Sequence, residues 1–363
     1  MYLDLAEKLR NAIRQGEYGP GVLIGSEYEL ARRENMARMT VRRASQLLVN
    51  EGLIERRPGK GLFVRGPQTT VRTVQFIAGN LQWESSLQVS RGAQSVARRE
   101  GVQIQLYDAH GSTVEDLELL RQLPSAQPAG AIVMSLHSAE FNAALIRLRA
   151  QNFPIVLVDQ RMQDVAIPSV TSDNQAGGFY VGQALLAQGH RRIAFIGDLV
   201  ATTVRDRLAG LRDAIADAGV PFDRALVADL SDGADRLADW SVTIDRATRR
   251  LMAMPDPPTA IAFSCDGVAR PAYRTLAALG LRIPQDVSVA GFDDDPLAEW
   301  LSPALTTVKQ PFFDMGRAAM ELLCRQMANP NAPAERLVLP VVFVPRDSLA
   351  PASPDGSCKR TTR

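Results

Sequence analysis

Two alternating periodicities across the last three quarters of the chain constrain its fold more than any other feature. From residue 72 to about residue 348, short apolar runs typical of buried strands alternate with amphipathic segments typical of helices. The runs read VQFIA, VQIQLYD, GAIVMS, PIVLVD, RIAFIG, TAIAFS and VSVAGFD, and the helical segments between them include 87–99, 174–188, 203–218 and 267–279. This order predicts an α/β fold with parallel sheets and helices on both faces. About 275 residues exceed one comfortable sheet domain, so we expect two similar lobes.

Residues 1–66 follow a different pattern. Apolar positions recur with a helical period from Tyr2 to Arg14, and a capping box of Ser26 and Glu29 marks the start of a second helix. A third helix is expected over Arg38–Asn50. Two short strands, 53–55 and 62–64, then flank an Arg-Pro-Gly-Lys-Gly turn. Three helices followed by a basic hairpin predict a winged helix-turn-helix.

Charge is distributed unevenly between these two parts. The 363-residue chain has a formal net charge of +1, yet residues 1–66 hold 12 Lys plus Arg against 8 Asp plus Glu. Arg38, Arg42 and Arg43 lie beside the apolar stripe of the third helix, and arginine binds both guanine edges and phosphates. Basic runs are usually solvated helix faces, but a run placed between a helix-turn and a wing favours DNA binding.

The stretch SEYELARRENMARMTVRRASQLLVNEGLIERRPGKGLFV resembles the GntR-type winged helix, and the resemblance covers nearly all of residues 2–65. It implies DNA contacts by Arg38, Thr40 and Arg42 and by the wing residues Gly59 and Lys60. Arg43 on the helix and Arg57 at the turn complete the candidate DNA-binding set. There are two departures from the family pattern. Tyr28 replaces an arginine that contacts phosphate, and Ala37 replaces a serine-like helix cap.

Polar residues follow several predicted strands at their carboxyl ends, where open α/β sheets bind ligands. A carboxylate and an arginine can together bind a polyol, and a tryptophan can stack on a sugar ring. Each residue also has a structural alternative, because acids cap helices, Arg207 could pair with Asp206 or Asp213, and a tryptophan often belongs to the core. Gly177 and Gly178 indicate close helix packing rather than a phosphate loop. The candidates are Asp159, Arg207, Trp240, Cys265, Asp266 and the triplet Asp293, Asp294 and Asp295.

The segments SVTSDNQAGGFYVGQALLAQGHRRIAFIGD, RDRLAGLRDAIADAG and PPTAIAFSCDGVARPAYRTLAALGLRIPQDVSVAGFDDD resemble the effector domain of LacI-type repressors. The resemblance runs from about residue 71 to residue 346. It implies a type I periplasmic-binding-protein fold, with two lobes joined by three crossings, a small ligand in the cleft and dimerisation. The positions that hold the sugar in the family fall here on Asp159, Arg207, Trp240, Asp293 and Phe312. Asn80 and Trp83 fall near a ligand-contacting loop of the first lobe.

Cys265 is the clearest departure from the LacI-type pattern, because many members have an asparagine at this position. It is therefore included among the effector candidates, with a redox sensor and an inert packing residue as alternatives. The chain has three widely spaced cysteines and three histidines without ligand spacing. This pattern argues against disulfides and a metal site, and no cofactor is expected. A Mg²⁺ ion on the aspartate triplet is disfavoured because no phosphate loop accompanies it.

A GntR-type winged helix joined to a LacI-type sensor is the arrangement of the arabinose-repressor-like regulators. The resemblance implies a repressor of carbohydrate uptake or catabolism genes, with operator DNA and a sugar as partners, acting as a homodimer. A nucleoside or other non-sugar effector, or an activator role, stays open. We expect residues 1–66 to bind DNA, 67–71 to be a linker, 72–348 to bind effector and dimerise, and 349–363 to be a disordered tail.

Three other classes are disfavoured by the sequence. A fused aminotransferase-like enzyme would need a Schiff-base lysine, but Lys309 is the only lysine between Lys60 and Lys359. An exported sugar-binding protein would need a signal peptide, and the N-terminus is amphipathic with mixed charge. No run approaches the roughly 20 apolar residues of a membrane span. The chain is therefore expected to be a cytoplasmic regulator rather than an enzyme or a membrane protein.

Overall fold

The computed structural model describes residues 1–65, 72–110, 112–126, 128–134, 139–162, 165–231 and 240–353. The chain divides into two compact units, Met1–Val71 and Arg72–Arg363. The predicted linker, residues 67–71, lies outside the described residues.

The first unit is a winged helix-turn-helix. Its elements are α1 (Tyr2–Arg14), β1 (Leu23–Gly25), α2 (Glu27–Arg33), α3 (Arg38–Asn50), β2 (Ile54–Arg57) and β3 (Gly61–Val64). The strands form an antiparallel sheet in the order β1-β3-β2. The capping box is present, since Ser26 Oγ accepts from Glu29 N at 3.1 Å and Glu29 Oε2 accepts from Ser26 N at 2.7 Å. The sequence prediction missed β1, because a strand of only three residues that ends at a glycine carries too little periodicity.

The second unit contains two parallel sheets, and the predicted α/β class is confirmed. The first lobe has a six-stranded sheet in the order β14-β8-β7-β6-β4-β5, and the second a four-stranded sheet in the order β10-β9-β11-β12. The strands are β4 (Arg72–Ala78), β5 (Val102–Asp108), β6 (Gly130–Met134), β7 (Ile155–Val158), β8 (Ser169–Ser172), β9 (Ile193–Gly197), β10 (Val227–Asp229), β11 (Ala260–Phe263), β12 (Ser288–Ala290), β13 (Thr307–Lys309), β14 (Arg336–Leu339) and β15 (Val342–Val344). An antiparallel pair, β13 and β15, adjoins the second sheet through a bridge between Asp293 and Lys309.

Helix pairs cover both faces of each sheet. In the first lobe α4 packs on α11 and α5 on α6, and in the second lobe α7 packs on α8 and α9 on α10. Each sheet therefore has two apolar cores, one on each of its faces. The helices are α4 (Glu84–Arg99), α5 (Thr113–Ala126), α6 (Ala139–Ala150), α7 (Asn174–Ala187), α8 (Thr202–Asp217), α9 (Trp240–Met252), α10 (Asp266–Ala278) and α11 (Phe312–Ala328).

The chain passes between the lobes three times. It crosses from β8 to α7 at Asp173, from β13 to α11 at Gln310 and Pro311, and from β14 to β15 at residues 340–341. Two of the crossings are hydrogen-bonded to each other, because Asp173 N donates to Leu339 O at 2.8 Å. These crossings are the covalent connections between the two lobes.

Glycine contacts fix the pairing of α7 with α8. A Cβ on Gly178 would lie 2.0 Å from the carbonyl oxygen of Arg207, and one on Gly210 would lie 1.9 Å from that of Gln175. The interpretation of Gly177 and Gly178 as a close-packing site is therefore confirmed. This approach places the backbone of Arg207 directly against α7.

The end of the chain is ordered further than the sequence suggested. Residues 349–352 were expected to begin a disordered tail, but Ala350 N donates to Ser288 Oγ at 3.0 Å and Ala352 N to Gln188 O at 2.7 Å. The buried His190 contacts Ala350 O through Nε2 at 3.1 Å and Thr259 Oγ1 through Nδ1 at 2.9 Å. These hydrogen bonds attach the segment to the second lobe. Residues 354–363 lie outside the described residues.

Candidate effector cleft and DNA-binding surface

Helix α3 separates an apolar face from a basic one. Val41, Ala44 and Leu48 are fully buried in the core of the first unit, whereas Arg38, Met39, Arg42 and Arg43 are exposed and Thr40 is half-buried. The helix begins after Ala37, whose side chain makes no capping hydrogen bond. The amide groups of its first turn are therefore not capped by a side chain, and they lie beside the arginines.

Several of the basic side chains are held by acids and others are not. Arg56 donates to Glu27 Oε1 at 2.6 Å, and Arg57 donates to Glu55 Oε1 at 2.7 Å while its guanidinium stacks on Phe63 at 4.4 Å. Among the predicted DNA-binding residues, Arg38, Arg42, Arg43 and Lys60 form no salt bridge with an acid within described residues 1–65. These four side chains are therefore available to neutralise phosphates.

The wing turn depends on Gly59. Its φ of +70° lies in the left-handed region, and Lys60 N donates to Arg57 O at 3.0 Å to close the turn. The ladder extends from Ile54 paired with Val64 to Arg57 paired with Gly61. The strands are thus longer than predicted, and Lys60 lies at the exposed tip.

Arg207 is the centre of the polar cluster in the second unit. It is 4% exposed, it donates through Nε to Asn174 Oδ1 at 2.7 Å and through Nη1 to Ser264 O at 2.5 Å, and its guanidinium lies 3.9 Å from the ring centroid of Phe292. Sequence reasoning missed these partners. The one available signal was the position of Asn174 at the start of a predicted helix, which could have suggested it as a partner of Arg207. The suggested pairing of Arg207 with Asp206 or Asp213 is wrong, because Asp206 binds Arg161 and Asp213 accepts from Gln175.

Two carboxylates from different lobes approach this arginine. Asp293 Oδ1 lies 3.5 Å from Arg207 Nη1, and Asp159 Oδ1 lies 3.9 Å from Nη2. Both acids follow strands and adopt positive φ, +52° at Asp159 and +118° at Asp293, which bends the backbone at the strand ends. The structure therefore brings together three of the predicted effector residues.

Burial perturbs both acids. It raises the pKa of Asp159 to about 6, against the opposing effect of Arg207. Burial also raises the pKa of Asp293 to about 7, which Arg207 opposes and Asp159 reinforces. Asp159 Oδ1 is buried and accepts no hydrogen bond among the described residues. A buried acceptor without a donor is costly, so this oxygen is a natural partner for a ligand hydroxyl.

The cluster is connected to the lobe crossings. Gln310 Nε2 donates to Asp293 Oδ1 at 2.6 Å, and Gln310 Oε1 accepts from the Ser172 hydroxyl. Asn174 Nδ2, in turn, donates to Ser172 O at 2.9 Å. Hydrogen bonds thus link both Asp293 and Arg207 to residues at the lobe crossings.

The other two aspartates of the triplet have structural roles. Asp294 binds Arg346 at 2.6 Å, and Asp295 caps the following turn by accepting from Leu297 N at 2.8 Å. Asp266 accepts from the Thr307 hydroxyl at 2.7 Å and from Asp295 N at 2.9 Å. No metal-binding group of three or more histidine, cysteine or acidic side chains is found among the described residues.

Cys265 borders the cluster as a neutral thiol. It precedes α10, makes no capping hydrogen bond, and follows Ser264, whose carbonyl binds Arg207. Burial and then the charge of Asp293 raise the pKa of Cys265 to about 12. Because the thiolate is the reactive form, this environment disfavours the redox-sensor alternative.

Three of the four remaining candidates lie at or next to a helix start. Trp240 is the first residue of α9 and is partly exposed, and residues 232–239 before it lie outside the described residues. Phe312 begins α11 and is buried in a core of the first lobe. In the first lobe Asn80 accepts from Gln82 N at 2.7 Å, and Trp83 precedes α4 and is exposed. No hydrogen bond or ion pair joins any of these four residues to Arg207 in the described part of the chain.

Family models match most of both units. Residues 1–64 match the bacterial regulatory proteins of the gntR family, and residues 183–349 match a periplasmic binding protein-like domain. The arabinose metabolism transcriptional repressor of Geobacillus stearothermophilus is 28% identical over 335 residues, covering 90% of this chain and 91% of the repressor. The ribose operon repressor of Escherichia coli strain K12 is 28% identical over 261 residues, covering 71% of this chain and 76% of the repressor.

Solved structures agree with these sequence matches. The transcriptional regulator CelR in complex with cellobiose superposes with a TM-score of 0.68 at 27% identity, covering 86% of this chain and 90% of CelR. A LacI family regulator from Enterococcus faecium with bound ribose gives 0.66 at 25% identity, covering 77% of this chain and all of that chain. In the described part of this chain, no helix combines the length and the apolar character needed to cross a membrane. The chain joins a gntR-family helix-turn-helix domain to a periplasmic-binding-protein-like domain, and the two relatives described above are transcriptional repressors.

Proposed function

We propose that this protein is a sugar-responsive transcriptional repressor that binds operator DNA through its first unit and a sugar in the cleft of its second. The observation that carries the effector assignment is Arg207 between Asp159 and Asp293, two acids contributed by different lobes. The relatives named for arabinose and ribose, and the structures that contain ribose and cellobiose, support a sugar.

The cluster has the hydrogen-bonding groups that a polyol needs. Asp159 Oδ1 is a buried acceptor without a donor, Asp293 accepts from a ligand hydroxyl, and Arg207 donates to a hydroxyl or ring oxygen. Trp240 stacks on the sugar ring, and Phe312 supports the cleft from the first-lobe core. Cys265 offers no amide donor, so it limits which sugars or other polyols fit.

DNA recognition is assigned to α3 and the wing. Arg38, Thr40, Arg42 and Arg43 enter the major groove and contact base edges and phosphates. The wing turn, through Arg57, Gly59 and Lys60, lies along the phosphate backbone. A single winged helix contacts only a few base pairs, so two copies of the chain bind a pseudo-palindromic operator as a homodimer.

Linkage between the two ligands gives the mechanism. A sugar that binds one arrangement of the lobes more tightly shifts the dimer toward that arrangement. In that arrangement the two winged helices no longer match the spacing of the half-sites, so sugar binding lowers operator affinity. Operator binding lowers sugar affinity by the same factor. The residues that connect the cleft to the crossings, Gln310, Ser172 and Asn174, are the physical link.

A thermal-shift screen of the full chain against pentoses, hexoses, disaccharides and nucleosides tests the effector assignment. A ligand at ~100 times its Kd stabilises the folded protein by about 2.7 kcal/mol, which raises Tm by several degrees. Asp293→Asn is expected to lose this shift. Asp294→Asn is the matched control, because Asp294 is bound to Arg346 and should keep it. A Tm shift with nucleosides alone would indicate a nucleoside effector in place of a sugar. An equal Tm shift in both variants would refute the assignment of effector binding to the cleft.

A further inference from the structure

A second charged pair bridges the two lobes beside the cleft. Arg161 follows β7 of the first lobe, and Asp206 lies on α8 of the second. Arg161 Nη2 donates to both carboxylate oxygens of Asp206, at 2.8 and 2.9 Å, and the Thr202 hydroxyl contacts Arg161 O at 3.4 Å. The two side chains are 28% and 31% exposed, so water screens the pair only partly.

Each partner is attached firmly to its own lobe. On the first lobe, Gln160 Nε2 donates to Val133 O at 3.1 Å, and Arg336 donates to Met162 O at 2.9 Å, which holds the backbone on both sides of Arg161. On the second lobe, Asp206 precedes Arg207, whose backbone is in contact with Gly178 of α7. Because both backbones are held, a relative motion of the lobes that exceeds the reach of these two side chains must break the pair.

We propose that Arg161 and Asp206 form an interlobe clasp, a pair of positioning residues that favours the lobe arrangement seen in this structure before any effector binds. Asp159 and Arg207 are 3.9 Å apart, beyond hydrogen-bond distance, so the clasp is the stronger polar contact between these two neighbouring segments. It thereby keeps Asp159 of the first lobe near Arg207 of the second lobe. The clasp acts whichever ligand enters the cleft.

The interlobe distance in the full chain without ligand or DNA tests the clasp. Spin labels at the exposed positions Arg98 on α4 and Asp217 on α8 report the distance between lobes by pulsed electron spin resonance. Diluting labelled with unlabelled protein removes distances between copies. The background replaces the native cysteines with alanine, at positions Cys265, Cys324 and Cys358.

Arg161→Glu and Asp206→Arg each place like charges opposite one another. Each is expected to lower the ratio of molecules at the wild-type interlobe distance to molecules at longer distances about fivefold or more. The double reversal Arg161→Glu with Asp206→Arg restores the pair and the wild-type distribution, which a merely structural role of either side chain would not produce. Arg325→Glu is the control, because its partner Glu335 lies in the same lobe and the interlobe distance should not change.

Two outcomes would overturn the clasp. One is a wild-type distance distribution in both single reversals, and the other is a double reversal as perturbed as the singles. If a reversal does not fold, Arg161→Gln and Asp206→Asn replace it, with the same expected direction and about half the effect. Because neither ligand nor DNA is present, a failed sugar screen leaves this result unaffected, and a failed clasp leaves the sugar assignment standing.

Discussion

Gly178→Ala is expected to destabilise the second unit by separating α7 from α8. The new Cβ would lie 2.0 Å from Arg207 O, 2.7 Å from its carbonyl carbon and 2.9 Å from its Cα. Carbon and oxygen in contact need roughly 3.2 Å, so the helices must separate by about 1 Å, and backbone cannot move aside like a side-chain end. Overpacking of this kind costs roughly 1–3 kcal/mol in the free energy of unfolding.

Gly267→Ala is the matched control in helix α10. Its new Cβ would meet nothing closer than Cys265 Sγ at 3.7 Å, an ordinary contact. Alanine should therefore stabilise this helix by roughly 0.5–1 kcal/mol. Denaturant unfolding of the two variants measures both effects, which have opposite signs. Equal stability of Gly178→Ala and wild type would refute the packing argument, and so would equal losses in the two variants.

Three further predictions concern the DNA surface and the cleft. Arg42→Ala is expected to lose roughly 1–3 kcal/mol of operator-binding free energy and to relax the preference for one base. Lys60→Ala should weaken binding to operator and random DNA alike and reduce the dependence of affinity on salt concentration. Fluorescence anisotropy with both DNAs measures these effects. Burial raises the pKa of Asp293 to about 7, so the folded protein retains a proton that the unfolded chain loses near pH 4. The free energy of unfolding therefore falls as pH rises from about 4 to about 7. The free energy of unfolding of wild type relative to Asp293→Asn should fall by roughly 2–4 kcal/mol between pH 4 and 8, and a constant difference would contradict it. Cys265, with its pKa raised to about 12, should resist iodoacetamide at pH 8 in peptide mass spectrometry, and rapid alkylation would show an accessible thiolate.

The element order was predictable because apolar periodicity is a local property. Helices α1 and α3 begin and end where their stripes do, and the capping box fixes the start of α2. The wing strands came out longer than predicted, since cross-strand pairing extends to Arg57 and Gly61 regardless of their polarity.

The cleft was predictable in part. Asp159 and Asp293 follow from strand ends, and Arg207 from a helix start and the family resemblance. The structure brings both carboxylates within 4 Å of the guanidinium of Arg207. Their partners were not predictable, because Asn174 and Gln310 meet them only through the lobe crossings. Pairing of distant residues depends on tertiary geometry, and the same holds for Arg161 with Asp206.

Operator affinity with and without effector tests the central claim most directly. The probe is an operator fragment found by footprinting, titrated with full chain in the absence and presence of the sugar that gives the largest thermal shift. We expect the wild type to lose operator affinity about 5- to 150-fold with sugar. Asp293→Asn should bind the operator equally well and keep that affinity when the sugar is added. Release of DNA by Asp293→Asn at the wild-type sugar concentration would contradict the account.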